Sequence, residues 1–310
     1  MKLGRNLKML AVATALLAMP ASAEERISIG TGGTGGLFYV IGAGMADIIN
    51  KYMEDATARA EVTGASVENI RRVAAGQMTF GFSSSSTLYE AKNGEGPFDG
   101  DPQAVAAMAY LYPAVLQFAT IADTGIKGFE DLAGKRVNLG PPGSNSAVLA
   151  QRLLEAYGVF DPGNAQFLSY TEGTNALMNG TVDATVVLAG APTAALIDLD
   201  AQRDMVLLSL DEEKVGGLFE DYPFYQPYEI PAGTYPDQTE AVIVVNDPAT
   251  LFVKEDADPG LIEAITRTLF EHLDELGEIH PQAKAISLET ATRTPIDLHP
   301  GAKSYFDSAQ

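Results

Sequence analysis

Apolar and polar positions alternate along this chain in two rhythms. Short apolar runs of strand type are followed by segments with apolar residues at helical spacing. Residues 26–29 read as a strand. Residues 38–52 read as a helix with Phe38, Ile41, Met45, Ile48, Ile49 and Tyr52 on one face. Strands follow at 59–63 and 79–82, and Ser66 is placed to cap a helix over 67–75. Two apolar stretches, 105–111 and 114–122, flank Pro113. A second alternation then begins, with strands at 136–139, 167–170, 183–188 and 206–210. Its helices fall at 147–157, 175–179 and 193–201. Residues 211–240 are rich in Pro, Gly and Tyr and read as irregular. Residues 241–245 form a strong strand and 251–253 continue extended. The clearest helix is 259–279, with Leu261, Ile262, Ile265, Leu269, Leu273 and Leu276 on one face.

This order predicts α/β layers with mostly parallel sheets. Two series suggest two hinged lobes, residues 24–113 with 245–310 as lobe I and 114–244 as lobe II. The long final helix is expected to return to the first lobe. Facing strand ends then make a central ligand cleft, where open α/β sheets bind small molecules.

Composition narrows the class. A chain of 310 residues with 46% hydrophobic and 20% charged residues fits a globular protein and not a disordered one. Forty-one acids against 20 Lys and Arg give a formal net charge of −21, which argues against nucleic acid and anionic membrane surfaces as partners. The absence of cysteine excludes disulfides, thiol nucleophiles, Fe–S clusters and Cys-based zinc sites. At the start, Lys2, Arg5 and Lys8 precede an apolar run over 9–19, Pro20, and Ala21-Ser22-Ala23. That is the tripartite pattern of a secretory signal peptide over 1–23, cleaved after Ala23, and the run is too short to span a bilayer. Losing its three cations takes the net charge to −24. The mature chain is expected in the periplasm, without membrane insertion and stabilised by its core.

Two glycine-rich loops have a plan suited to an anion. Gly30-Thr31-Gly32-Gly33-Thr34-Gly35-Gly36 lies between a strand and a helix. Glycines there allow positive φ and bring N–H groups close to a ligand, threonines add hydroxyls, and the helix start adds donors. Gly140-Pro141-Pro142-Gly143-Ser144-Asn145-Ser146 repeats the plan in the second series. Ser83 to Thr87 sets five hydroxyls in a row at a strand end. The bland alternatives are a tight turn, an N-cap serine and a solvated helix start. Tyr39, Tyr112, Tyr170 and Tyr235 are candidates to wall the cleft, or ordinary core. Arg71 and Arg72, on a helix, are better read as partners of surface acids.

Other chemistries find little support. Gly30, Gly32 and Gly35 match G-x-G-x-x-G, but the second strand lacks the terminal acid that would hold a ribose. No Lys-Ser/Thr follows the glycines, which excludes a P-loop. Asp123-Thr124-Gly125 has no second copy to pair carboxylates as aspartic proteases do. His272, His280 and His299 form no metal or triad pattern and read as surface or helix-end residues. No catalytic residue, metal or cofactor is expected.

Six motifs occur in a telling order: residues 29–36, Gly64-Ala65-Ser66-Val67-Glu68-Asn69-Ile70, Leu132-Ala133-Gly134-Lys135-Arg136-Val137, Gly190-Ala191-Pro192, Ile230-Pro231-Ala232-Gly233-Thr234-Tyr235 and Leu298-His299-Pro300-Gly301-Ala302. Together they resemble the TAXI family of TRAP-transporter solute receptors, across 27–306. The resemblance implies a two-lobed periplasmic-binding-protein type II fold that closes around a small organic anion. It implies a non-enzyme that delivers a dicarboxylate, a 2-oxo acid or a glutamate-like amino acid to TRAP permease subunits. Carried over by position, the first-lobe ligand loop falls on Gly33, Thr34, Gly36 and Tyr39. The strand-end segment falls on Ser84, Ser85 and Ser86, preceded by Ser83, and the second-lobe loop on Ser144, Asn145 and Ser146. Ser66, Gly190 and Pro192, within the shared motifs, complete the candidate ligand set. The family's Leu-Tyr-Pro-Glu reads here Leu111-Tyr112-Pro113-Ala114. Losing that acid removes a partner for an ammonium group and points to a carboxylate without one. An extracytoplasmic sensing module for a kinase, or an exported α/β enzyme, are the alternatives.

Overall fold

The computed structural model describes residues 25–222 and 224–309, so the signal-peptide reading of 1–23 lies outside the described residues. The first series is β1 (Glu25–Gly30), α1 (Leu37–Tyr52), β2 (Ala56–Glu61), α2 (Ser66–Ala74), β3 (Phe80–Ser84), α3 (Ser85–Asn93) and β4 (Val105–Tyr112). The chain then crosses to β5 (Val115–Ile121), β6 (Val137–Asn138), α4 (Asn145–Ala156), β7 (Ala165–Gln166), α5 (Tyr170–Met178) and β8 (Ala184–Ala189). It continues through α6 (Ala194–Asp200), β9 (Met205–Leu207), α7 (Gly216–Asp221), β10 (Gln226–Ile230) and β11 (Val242–Asn246). A second crossing leads to β12 (Ala249–Lys254), α8 (Pro259–Phe270), α9 (Leu273–Ile279) and α10 (Pro300–Ala309).

Two sheets result. One has the order β2-β1-β3-β12-β4, the other β10-β11-β5-β8-β6-β7, with β9 also paired to β5. Both are mixed, which corrects the expectation of mostly parallel sheets. β12 runs antiparallel to β3 and β4, and β5 runs antiparallel to β8, β9 and β11. The reason is that β4, β5, β8 and β12 are buried along almost their whole length. A continuous apolar run shows that a strand is central, but not which way its neighbour points. Ile41, Met45, Ile48 and Ile49 of α1 pack with Ile27, Ile29 and Phe82 of the first sheet. Leu149 and Leu153 of α4 join Phe118 and Val186 in the second core.

The two crossings run side by side. The Asp247 N–H, on the return segment, donates to the Ala114 carbonyl on the outward one at 2.7 Å. Two connections tied at one level are the geometry of a hinge.

Three expectations about elements need correcting. The stretch 167–170 is not a strand: β7 ends at Gln166, and Ser169 forms a capping box with Glu172 that starts α5 at Tyr170. Residues 211–240 are not irregular throughout but hold α7 and the edge strand β10, whose outward residues are exposed and which contains Pro227. The 259–279 helix breaks into α8 and α9 at Glu271 and His272. There the His272 Nδ1 lies 2.8 Å from the Thr268 carbonyl, and the ring stacks on Tyr52 at 3.6 Å. His299, read as a surface or helix-end residue, stands at a helix end but is buried, and its Nδ1 accepts the Gly301 N–H at the start of α10.

Candidate functional site

Five helices begin around one small cavity between the two sheets. Its walls are Gly36, Leu37 and Phe38 of α1, Ala65 and Ser66 of α2, Ser84 before α3, Ser144, Asn145 and Ser146 of α4, and Tyr170 of α5. Gly32, Gly33, Pro141 and Leu188 complete the lining. The enclosed space is about 30 Å³, roughly enough for two waters. None of the lining residues carries a charge. The first N–H groups of each helix have no partner within it, and each helix start carries a partial positive charge. The backbone therefore contributes partial positive charge to the cavity wall.

The first glycine loop works differently from the sequence expectation. None of Gly30, Gly32, Gly33, Gly35 or Gly36 has positive φ among the described residues. Gly30, Gly35 and Gly36 serve close approach instead, whereas Gly32 and Gly33 have room for a Cβ. A Cβ on Gly36 would lie 3.3 Å from the Tyr170 ring, and one on Gly35 would collide with the Thr171 hydroxyl of the opposite lobe. The second loop does use the left-handed region, at Gly140 (φ 98°) and Gly143 (φ 76°). That turn aims the Gly143 carbonyl across the cleft, where it accepts the Val67 and Glu68 N–H groups at 3.1 and 3.3 Å.

The structure brings Gly33, Gly36, Ser66, Ser84, Ser144, Asn145 and Ser146 together in the cavity wall. Ser66 is not the N-cap expected of it. Ala65 holds that place at φ 70°, and the Ser66 hydroxyl accepts the Ser84 N–H at 3.0 Å. Ser144 does cap α4, accepting the Ala147 N–H, and its hydroxyl also meets that of Ser146 at 2.7 Å.

Other candidates lie outside the wall. Thr34 is exposed and Tyr39 half-buried, and neither lines the cavity. The Ser83 hydroxyl donates to the Ser84 carbonyl, and that of Ser85 pairs with Thr250 at 2.8 Å. A Cβ on Gly190 would strike Gln282 and Leu37, which places Gly190 behind the cavity, next to Pro192 after its cis peptide bond. Thr31 donates to the Glu61 carbonyl at 2.6 Å and so braces the first sheet. Of the four tyrosines, only Tyr170 lines the cavity; its hydroxyl donates to the Leu188 carbonyl at 3.0 Å. Tyr112 is wholly buried, and Tyr235 contacts Gln117 and Thr193.

Sequence reasoning missed the acids behind the wall, and the premise that the cleft region lacks one is corrected. Asp247 is fully buried on the return crossing. Its carboxylate accepts the Ser86 N–H at 3.0 Å, the Ser86 hydroxyl and the Asn145 amide at 2.6 Å. Burial pushes its carboxyl up to about 6 despite those three donors. Glu90 of α3 forms a 2.7 Å ion pair with Arg152 of α4, and Arg152 also donates to the Tyr225 hydroxyl at 2.9 Å. Burial raises the Glu90 carboxyl above its usual range even with Arg152 beside it. The one available signal for Asp247 was an Asp-Pro pair at the end of a strong strand.

Two mixed α/β layers joined by paired crossings, with a cavity between them, define the periplasmic-binding-protein type II fold. The chain belongs to the NMT1-like family, whose model matches residues 29–308. Solved structures agree on the fold. The alkanesulfonate-binding protein SsuA from Xanthomonas axonopodis pv. citri, bound to MOPS, is 14% identical over 87% of this chain and 86% of its own, with a TM-score of 0.51. An ancestral arginine-binding protein bound to arginine is 14% identical over 84% and 98%, with a TM-score of 0.53. A histidine kinase sensor domain with similarity to periplasmic binding proteins is 13% identical over 86% and 98%, with a TM-score of 0.52. Among the described residues, no helix is long and apolar enough to cross a membrane, and no cluster of three or more His, Asp or Glu could hold a metal ion.

Proposed function

We propose that this protein is an exported solute receptor that captures a small organic anion, closes its lobes around it and hands it to the membrane subunits of a TRAP-type permease. The observation that carries the reading is the convergence of five helix starts, three from one lobe and two from the other, on a cavity without charged walls. Such a site favours negative charge through fixed N–H donors and hydroxyls. Those bonds strengthen as closure removes water. The fold shared with sulfonate- and arginine-binding proteins supports capture. The TAXI-like motifs support the TRAP route and the absence of catalysis, and the tripartite pattern of residues 1–23 supports export with cleavage after Ala23. Lobe I would comprise 24–113 and 245–310, and lobe II 114–244, hinged at the paired crossings.

A thermal-shift panel of mono- and dicarboxylates, amino acids and alkanesulfonates on the mature protein tests this. One or a few carboxylates should raise the melting temperature by mass action. A panel in which only compounds lacking a carboxylate or sulfonate group do so would refute the anion reading. The likeness to a sensor domain favours a second reading, in which the liganded protein signals to a kinase. Loss of solute uptake on deleting the gene supports transport, and unchanged uptake with lost ligand-induced expression supports sensing.

A further inference from the structure

The cavity is rich in donors, yet one of its walls offers a lone acceptor. Asn145 is 1% exposed, lines the cavity, and its Oδ1 is buried with no hydrogen-bond partner. Among the described residues, the other buried side-chain atoms without a partner belong to Thr87, Glu90, Tyr112, Asp200 and Asn246, none of which lines the cavity. The amide cannot be turned round to remove the difficulty. Its Nδ2 donates to Asp247 Oδ2 at 2.6 Å and to the Ser86 hydroxyl oxygen at 3.2 Å. Above about pH 6, where Asp247 is ionised and only accepts, the NH2 end must face it, and the oxygen is the end left without a partner.

Resting on the proposed capture of a small carboxylate, we infer that the ligand carries an O–H or N–H donor next to its anionic group, and that Asn145 Oδ1 receives it. Ser66, whose hydroxyl oxygen already accepts the Ser84 N–H, keeps its proton for the anion. The helix starts supply the remaining donors. The ligand class is therefore 2-hydroxy or 2-amino acids. The corresponding 2-oxo acid would set a carbonyl oxygen against the Asn145 oxygen and leave both acceptors unpaired. Asp247 and Ser86 are positioning residues here, because they act only by fixing the amide.

The test uses matched series on the mature protein, lactate, alanine and pyruvate, and 2-hydroxyglutarate, glutamate and 2-oxoglutarate, with dissociation constants from isothermal titration. In whichever skeleton binds, a donor-bearing member should bind about tenfold more tightly than the 2-oxo acid. N145A should bring the two within about threefold by weakening the donor-bearing ligand alone. Should N145A not fold, N145S is read in the same way, and the wild-type ratio stands by itself. A 2-oxo acid that binds as well as its partners, or a ratio unmoved in a folded variant, overturns the inference and leaves anion capture intact. If none of the six binds while other anions do, the donor rule falls. If no anion binds at all, the capture reading falls with it.

Discussion

Asp247 shows how one residue can govern a site it does not line. Its folded carboxyl titrates near 6, against about 4 for an exposed aspartate. A raised acid means that the folded state holds a proton that the unfolded chain has released. Stability from this group is therefore present below about pH 4 and is lost as pH rises to about 6, then stays constant. Two pH units correspond to roughly 3 kcal/mol. Urea unfolding of wild type and D247N at several pH values should show the variant gaining on wild type by up to about that amount between pH 4 and 7. A difference that does not vary with pH would refute the assignment. Ser66→Ala should cost about 1–2 kcal/mol, because the buried Ser84 N–H loses its acceptor; a melting temperature unchanged from wild type would show that the bond is dispensable. Ser144, Asn145 and Ser146 were legible in the sequence because a glycine turn and a helix start are local signals. Asp247 was not, since its partners Asn145 and Ser86 lie 102 and 161 residues away.

Between elements, the α3–α4 contact sets a buried ion pair across the cleft. Arg152 and Glu90 are only 13% and 4% exposed, so removing the cation strands a buried carboxylate. R152M should cost roughly 3–5 kcal/mol in chemical denaturation. A loss below about 1 kcal/mol would match a pair standing in water instead. The α1 loop makes the complementary prediction. G35A adds one methyl group toward Thr171, so it should weaken ligand affinity about tenfold or more while leaving the stability of the unliganded protein near wild type. Equal affinities would show that the lobes do not approach there. Helices and their apolar faces could be read from spacing, as with α1 and the start of α8, where Asp258 caps and Pro259 begins the helix. Strand direction could not be read, nor the break at His272, because both depend on which element lies alongside.

For the molecule as a whole, a formal net charge of −21 opposes the approach of an anion. Salt screens that repulsion, the Debye length falling from about 30 Å at 0.01 M to about 8 Å at 0.15 M. The association rate constant of a bound carboxylate should therefore rise over this range, measured by stopped flow. A falling rate would mean that a positive local field dominates at the cleft mouth. The five converging helices carry a last consequence. When the space between them is vacant, poles of the same sign confront one another from the two halves, and this mutual push favours a parted molecule. A guest of opposite sign reverses it, and every pole is then drawn toward one centre. On the proposed reading the solute would thus act as its own latch, and occupancy would show from outside simply as a shut molecule.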